Sequence, residues 1–392
     1  MFAEHELRVA AQKRLAFIRA MQFQHKAPNE EQLGSFLQAV RAELRGLAQG
    51  AENADELAGA IDALLEEHLR EGIAFDETDD ALEALLRELR VLEVNAAVAA
   101  VEPDDDALAS LPLALAELWK LDINRLEPNI DYVLDLQSGK KFHERSDSAE
   151  RPLFKYIARS VFQRPTYQLF YALLDNYEFA TGVEETETQQ EKSENRAFID
   201  AIYSMPVMRY VHKYAASRGW LESEDIDDPD DVGSFKRLLY RLWFHFYRRE
   251  GRNDSSGFEH VFLGEVRDGK VIGLHNWIQL LREERSGKLN YTGYILPRRR
   301  STELPEGDEH ILGIQFEWNG AVKPMSSIFV GVSPEFELAL YTLAFLNAAH
   351  GNEGDDGVVC ATLEDEVDVR IVAHLMGRHR PRLGSCYPEI VE

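Results

Sequence analysis

Apolar side chains recur at three- and four-residue spacing along the first hundred residues, which is the periodicity of amphipathic helices. The pattern occupies four segments, Leu7–Met21, Leu33–Leu47, Leu57–Leu69 and Leu82–Val94. Acidic stretches at residues 78–80 and 102–106 interrupt it. We therefore predict a helical N-terminal region over residues 1–107, either as a small bundle or as a module that binds a protein partner.

Residues 108–250 keep the helical periodicity but contain more aromatic side chains. Helices are predicted over residues 113–126, 154–180, 194–205 and 234–250. Pro165 and Pro206 mark breaks or first turns, and the polar run 182–195 is predicted to be a loop.

After Gly251 the hydrophobic period changes from about four to about two, the period of strands. Residues 258–266 and 270–275 flank Asp268-Gly269, a strong signal for a β-hairpin. Further strands are predicted at 289–296, 310–318, 326–332, 356–363, 367–376 and 387–392. Two helices interrupt them, one over 276–284 and one over 333–350 with Ser333 as its N-cap. Helices first and strands later predict an α+β fold, with a mostly helical part at 108–250 and a strand-rich part at 251–392.

The net charge of −26, from 69 acidic and 43 basic residues, argues against a protein that coats nucleic acid. The excess is concentrated at the start, because residues 1–107 contain 23 acidic and 10 basic residues, whereas residues 251–300 contain 9 basic and 6 acidic ones. Cys360 and Cys386 are the two cysteines, which excludes a disulfide framework and a multi-cysteine zinc site. No run of about 18 apolar residues exists and no secretory signal is seen, so we expect an intracellular protein without a membrane span.

Two histidines flank the predicted hairpin, His260 and His275, and the turn between them would bring both imidazoles to one groove. A neutral imidazole and a protonated one, together with a cation, are sufficient for phosphodiester cleavage by a neighbouring hydroxyl. Lys323 is the candidate cation for the charge of the transition state. The alternative is that each histidine is a hydrogen-bonded structural residue of a strand, and spacing alone does not decide between the two.

Several long segments, in the same order along the chain, resemble the EndoU (XendoU) family of uridylate-directed endoribonucleases. They are SSGFEHVFLGE, GKVIGLHNWIQ, VKPMSSIFVGVSPEFELALYT and GSCYP, preceded by ELWKLDINRL, DYVLDLQ, LLDNYEFATGV, ENRAFIDAI and PVMRYVHKYA. The resemblance runs from about Leu108 to Glu392 and leaves residues 1–107 unassigned.

The resemblance implies an α+β catalytic domain of EndoU type that cuts single-stranded RNA at uridines and is stimulated by Mn²⁺ or Ca²⁺. The products would carry 2′,3′-cyclic phosphate and 5′-hydroxyl ends. By similarity, His275 is the base for the 2′-hydroxyl, His260 the acid for the 5′-oxygen, and Lys323 the group that holds the phosphate charge. The family's acidic positions fall on Glu259 and Glu265. Glu259 can orient an imidazole or bind a metal, or else be a salt-bridged carboxylate at the edge. The metal ligands are not readable from the sequence.

The same resemblance assigns the nucleoside pocket. Ser385 and Tyr387 match its small-residue–x–Tyr motif, and Ser326 or Ser327 would also line the pocket. Gly273 would bring a backbone N–H close to the phosphate. Six arginines are candidates for contact with the RNA backbone, or else a solvated face: Arg298, Arg299, Arg300, Arg378, Arg380 and Arg382.

Two other interpretations stay open. The chain can be an RNA-binding or effector protein that uses this fold mainly for recognition, and residues 1–107 can serve as a helical adaptor for a partner. A serine hydrolase is disfavoured, because GVSPE lacks the second glycine of a nucleophile elbow.

Overall fold

The protein is described from a computed structural model of the chain. The structure describes Val98 and residues 101–129, 131–296, 304, 305, 307, 309–350, 357–363, 367–377 and 381–390. Residues from Val101 onward belong to one compact unit. The four helices predicted between residues 7 and 94 lie outside the described residues, and so do Arg298, Arg299, Arg300, Arg378 and Arg380.

The described unit contains both helices and strands. The helices are α1 (Asp105–Ala109), α2 (Leu111–Lys120), α3 (Pro165–Ala172), α4 (Gln189–Tyr203), α5 (Pro206–Ser217), α6 (Val232–Trp243), α7 (Trp277–Arg285) and α8 (Pro334–His350). The strands are β1 (Tyr132–Leu134), β2 (Gly139–Lys140), β3 (Phe154–Ile157), β4 (Glu265–Arg267), β5 (Lys270–Ile272), β6 (Leu289–Ile295), β7 (Ile311–Trp318), β8 (Ala321–Phe329), β9 (Val358–Leu363), β10 (Val367–Met376) and β11 (Arg382–Ile390). Short 3₁₀ turns lie at Arg159–Gln163, Leu173–Asp175 and Glu222–Glu224, and Glu259–Leu263 form one π-helical turn.

Three sheets organise the strands. The largest has the order β2-β6-β7-β8-β5-β4, in which β6, β7 and β8 form an antiparallel meander and β2 and β5 join in parallel. A second antiparallel sheet has the order β11-β10-β9, and β1 pairs with β3. Strand β11 packs against β8 and against the π-helical turn, so the two larger sheets meet at that turn. The mixed helices and largely antiparallel sheets confirm the predicted α+β class.

Helix α8 is the centre of the core. Every residue from Pro334 to Leu346 is buried, and the helix packs against α5 and β10. Its start follows the sequence pattern, because the Ser333 hydroxyl accepts a hydrogen bond from the Phe336 N–H at 3.1 Å. Among the described residues, no helix is long and apolar enough to cross a membrane.

Several sequence predictions of local structure were wrong. The helix predicted over 154–180 begins as strand β3, and the polar loop 182–195 ends early because Thr188 and Glu191 form a capping box that starts α4 at Gln189. The helix predicted to reach residue 250 ends at Trp243. The strand predicted over 258–266 is a π-helical turn up to Leu263, and β8 begins at Ala321 rather than at 326.

Candidate active site

His260 lies on the π-helical turn rather than on a strand. Ser256 and Glu259 start this turn by a reciprocal pair of bonds, each backbone N–H donating to the other side chain at 3.1 Å. The Gly264 N–H closes it by donating to the Glu259 carbonyl at 2.8 Å. The turn holds the His260 ring so that its Nδ1 lies 2.5 Å from Oε2 of the fully buried Glu265.

His275 lies after β5, on the segment that crosses the π-helical turn. Gly273 and Leu274 both have left-handed backbone conformations, with φ of 62° and 59°. This bend lets the Leu274 N–H donate to the His260 carbonyl at 3.1 Å and the His275 N–H donate to the Val261 carbonyl at 2.9 Å. The backbones that carry the two histidines are therefore bonded directly to each other.

The residue after His275 fixes the far end of this segment. The Asn276 side chain caps α7 by accepting from the Ile278 and Gln279 N–H groups, each at 3.0 Å. Its amide donates to Oε2 of the buried Glu337 at 2.5 Å. His275 is thus held between a helix cap on one side and the π-helical turn on the other.

Lys323 reaches the same segment from β8. Its Nζ donates to the Gly273 carbonyl at 2.8 Å, and the Ser326 hydroxyl donates to the Leu274 carbonyl at 2.8 Å. A β-bulge makes this possible: Lys323 pairs with Phe316 and Ser326 with Ile314, so three steps along β8 match two along β7. The extra residue turns Lys323 and Ser326 toward the same side of the sheet. The structure therefore brings His260, His275 and Lys323 together at one segment.

Burial lowers the pKa values of all three groups, and nearby positive charges lower those of the two histidines further. Burial lowers the pKa of Lys323 to about 8. Burial, the Lys323 ammonium and His260 hold the pKa of His275 well below its usual range. Burial also lowers the pKa of His260, but the hydrogen bond and negative charge of Glu265 act in the opposite direction.

The predicted pocket residues lie on two strands that face His275. The Tyr387 ring on β11 stacks on the His275 ring, with centroids 4.8 Å apart and an interplanar angle of 16°. Ser385 precedes it by two residues and therefore lies on the same face of the strand. On β8, the Ser327 carbonyl lies 3.0 Å from His275 Nδ1, and the Ser326 hydroxyl lies 3.4 Å from the same atom. The Ser326 hydroxyl therefore lies on the Nδ1 side of the His275 ring.

Gly273 contributes its carbonyl to the site, because this carbonyl accepts a hydrogen bond from Lys323. The approach of its N–H to a phosphate stays a prediction. A Cβ at this position would lie 1.8 Å from the His260 carbonyl oxygen, so only glycine allows the two segments to approach.

Two acidic residues and an arginine lie behind His260. Glu259 is buried beside Glu185 and Glu265, and burial together with these negative charges raises its pKa well above the usual range. Arg249 Nε lies 3.4 Å from Glu265 Oε2, and its Nη2 donates to the Gly384 carbonyl at 2.8 Å. Sequence reasoning missed Arg249 and Glu185; Arg249 was placed in a predicted helix, and no short motif marks either residue.

The remaining candidates are placed less centrally. Arg382 is exposed on β11 and donates to the Phe246 carbonyl at 3.3 Å. Within the described ranges, no group of three or more His, Cys, Asp or Glu side chains converges as a metal site requires.

Comparison with known proteins places this arrangement in a family. Residues 110–388 match the Endoribonuclease XendoU family. The chain belongs to the XendoU family.

Relatives of known name support the same assignment to the XendoU family. The chain is 40% identical over 284 residues to uridylate-specific endoribonuclease C of Danio rerio, covering 70% of this chain and 86% of the relative. It is 37% identical to poly(U)-specific endoribonuclease-B of Xenopus laevis, covering 70% and 91%. A solved structure, described as XendoU, a splicing independent snoRNA processing endoribonuclease, superposes with a TM-score of 0.60 at 34% identity, covering 74% of this chain and 99% of that one.

Proposed function

We propose that this XendoU-family protein is an endoribonuclease that cuts single-stranded RNA at uridines by attack of the neighbouring 2′-hydroxyl. The products carry a 2′,3′-cyclic phosphate and a 5′-hydroxyl. The observation that carries the proposal is the convergence of two imidazoles and one ammonium group on the Gly273–His275 segment. This set supplies a base, an acid and a charge stabiliser for one phosphodiester.

His275 is suited to be the base. Its Nδ1 faces the Ser327 carbonyl, which only accepts hydrogen bonds, so the proton of the neutral ring lies on Nδ1 and the lone pair on Nε2. Its depressed pKa keeps the ring neutral near neutral pH. Nε2 can then take the proton of the 2′-hydroxyl as the oxygen attacks phosphorus.

His260 is suited to be the acid. The Glu265 carboxylate accepts from Nδ1, which orients the ring and stabilises the imidazolium form. A proton on Nε2 can then pass to the departing 5′-oxygen as the P–O bond breaks. After cleavage His260 is neutral and His275 protonated, and proton exchange with water restores both.

Lys323 supplies positive charge for the pentacoordinate phosphorus. Its ammonium has three N–H donors, and one is anchored on the Gly273 carbonyl. The others are available to non-bridging phosphate oxygens, whose negative charge grows in the transition state. Ser385 and Tyr387 on the adjoining strand would hold the nucleoside, with the aromatic ring against the sugar or base.

Other parts of the function stay predictions. We expect stimulation by Mn²⁺ or Ca²⁺, but no catalytic step here depends on a metal. A protein partner for residues 1–107, RNA contact by the six arginines, and an intracellular location are likewise expectations from the sequence.

The test is cleavage of a short oligonucleotide with one uridine, followed by identification of the new ends. His260→Ala, His275→Ala and Lys323→Ala should each lower kcat/KM by at least about a thousandfold, because each removes a group that acts on the transition state. The matched control is His143→Ala, an exposed histidine between β2 and β3.

A second substrate tests the nucleophile. An oligonucleotide with a 2′-deoxy group at the scissile uridine should resist cleavage, and cleavage at the normal rate would overturn the mechanism. Retained binding without new ends in the wild-type protein would favour the alternative of an RNA-binding protein.

A further inference from the structure

A third histidine, His374, faces the nucleoside pocket from β10, a position that sequence reasoning did not select. In the antiparallel pairing of β10 with β11, His374 lies directly opposite Ser385, and Val372 lies opposite Tyr387. Directly opposite residues of an antiparallel pair project from the same face of the sheet. His374, Ser385 and Tyr387 therefore share one face.

The Tyr387 side chain fixes which way this face points. Its ring stacks on His275, so the face is turned toward the candidate active site. His374 contacts Tyr387: the His374 Nε2 lies 3.4 Å from the Tyr387 hydroxyl, and the two ring centroids are 5.9 Å apart. His275, Tyr387 and His374 thus form a row of rings, with His275 at one end and His374 at the other.

Exposure separates the two ends of the row. His275 is buried, whereas His374 is exposed to solvent in the free protein. An exposed imidazole beside a half-open tyrosine can meet a ligand without displacing any part of the core. The register of the strands shifts immediately after His374, between it and Leu375, so the hairpin departs from regular pairing at this residue.

We infer that His374 is a specificity-determining residue that contacts the edge of the base held at Ser385 and Tyr387. The inference deepens the proposed function and rests on it. A uracil edge presents one N–H donor between two carbonyl acceptors, and a neutral imidazole offers one donor and one acceptor. Cytosine presents an unprotonated ring nitrogen and an amino group at the same positions. An imidazole nitrogen that accepts from the uracil N–H would therefore face the lone pair of the cytosine ring nitrogen, and both would stay unpaired.

The position of His374 relative to its neighbours separates this role from a catalytic one. It lies across the strand pair from Ser385, beyond Tyr387 as seen from His275, whereas Lys323 and His260 are bonded to the segment that precedes His275. Loss of the imidazole should therefore change the choice of base more than the chemical step.

The experiment compares two oligonucleotides that contain a single ribonucleotide, uridine in one and cytidine in the other, within a 2′-deoxy chain. His374→Ala should reduce the ratio of kcat/KM for uridine over cytidine by about tenfold, the factor expected for one base-edge hydrogen bond. His374→Gln keeps a donor and an acceptor, so it should retain the wild-type ratio within about threefold. His143→Ala, at the exposed histidine between β2 and β3, should leave the ratio unchanged.

Binding provides a readout that does not need cleavage. Wild-type protein should bind uridine 3′-monophosphate more tightly than cytidine 3′-monophosphate in a calorimetric titration, and His374→Ala should remove about tenfold of that preference. An undiminished preference in His374→Ala overturns the inference, as does an equal loss of rate on both oligonucleotides. Absence of cleavage by the wild type, with the binding preference lost in the variant, would contradict the proposed function but support the role of His374.

Discussion

His260 and His275 are both buried, which lowers both pKa values, but their immediate partners differ in how strongly they favour the protonated ring. A backbone carbonyl faces Nδ1 of His275, and a carboxylate faces Nδ1 of His260. A carbonyl adds a dipole, whereas a carboxylate adds a full negative charge that favours the imidazolium. Since Lys323 lowers the pKa of both rings, Glu265 is the residue that distinguishes the proposed acid from the proposed base.

Glu265→Gln tests this distinction. The carboxylate raises the pKa of His260, so its replacement should lower that pKa further and reduce the protonated fraction near neutral pH. The alkaline limb of kcat/KM should move to lower pH, and the rate at neutral pH should fall about tenfold for every pH unit that the limb moves. The measurement is a pH–rate profile from about pH 5 to about pH 9, in which the variant recovers toward acid pH.

The matched control for that profile is Glu250→Gln, which removes a carboxylate that pairs with Arg267 away from the histidines. It should leave the limb in place. Both variants should retain a further loss of activity above a pH of about 8, where Lys323 loses its proton. An unmoved alkaline limb in Glu265→Gln would contradict the role assigned to the carboxylate.

At the scale of elements, the site depends on a close crossing of two backbones at Gly273. Gly273→Ala should lower kcat/KM by more than about a hundredfold, because the new methyl group would collide with the His260 carbonyl and displace the anchor of Lys323. The matched control is Gly269→Ala in the β4–β5 turn, which has a φ of 71° but open space around the new Cβ.

Gly269→Ala should cost about 1 kcal/mol of unfolding free energy from its left-handed backbone alone, with kcat/KM unchanged. Denaturant unfolding and steady-state cleavage are measured on both variants. Together they separate the cost of a left-handed backbone, which both variants share, from the collision of the new Cβ with the His260 carbonyl in Gly273→Ala. Equal activity in the two alanine variants would show that the crossing tolerates movement.

The elements also show what the sequence could and could not predict. Periodicity located α7 and α8 because each is a continuous buried helix with a polar cap, Asn276 and Ser333. It failed around His260, because FEHVFL alternates like a strand while the whole segment is buried on every side, and a π-helical turn satisfies its backbone instead. The bulge in β8 was equally hidden, since its effect appears only in the pairing with β7.

The resemblance supplied residue identities that periodicity could not. His260, His275 and Lys323 lie in three different kinds of local structure. The spacing of 15 residues between the two histidines does not predict the hydrogen bond from Lys323 to the Gly273 carbonyl. Arg249 and His374 escaped because their roles come from contacts across the fold, with Gly384 and Tyr387 respectively.

At the scale of the whole molecule, the described site lies entirely within the unit that begins at Val101. The residues described at the site lie between Glu185 and Tyr387. We therefore predict that a chain reduced to Val101–Glu392 keeps kcat/KM on a short uridine oligonucleotide within about threefold of the full chain.

Circular dichroism of the shortened chain provides the control for folding. A folded but inactive shortened protein would show that residues 1–100 complete the site or an oligomer. Preserved cleavage with altered binding of longer RNA or of a protein would instead agree with an interaction module at the N-terminus.

The segment from Gly273 to Asn276 connects the groups that the proposed reaction needs. The Gly273 carbonyl accepts a hydrogen bond from the Lys323 ammonium. The Leu274 and His275 N–H groups donate to carbonyls of the π-helical turn, and the Asn276 side chain caps helix α7. A small displacement of these four residues would therefore disengage the proton donor, the proton acceptor and the cation in one event. We therefore expect the enzyme to be either fully active or inactive, with few partly active states between the two.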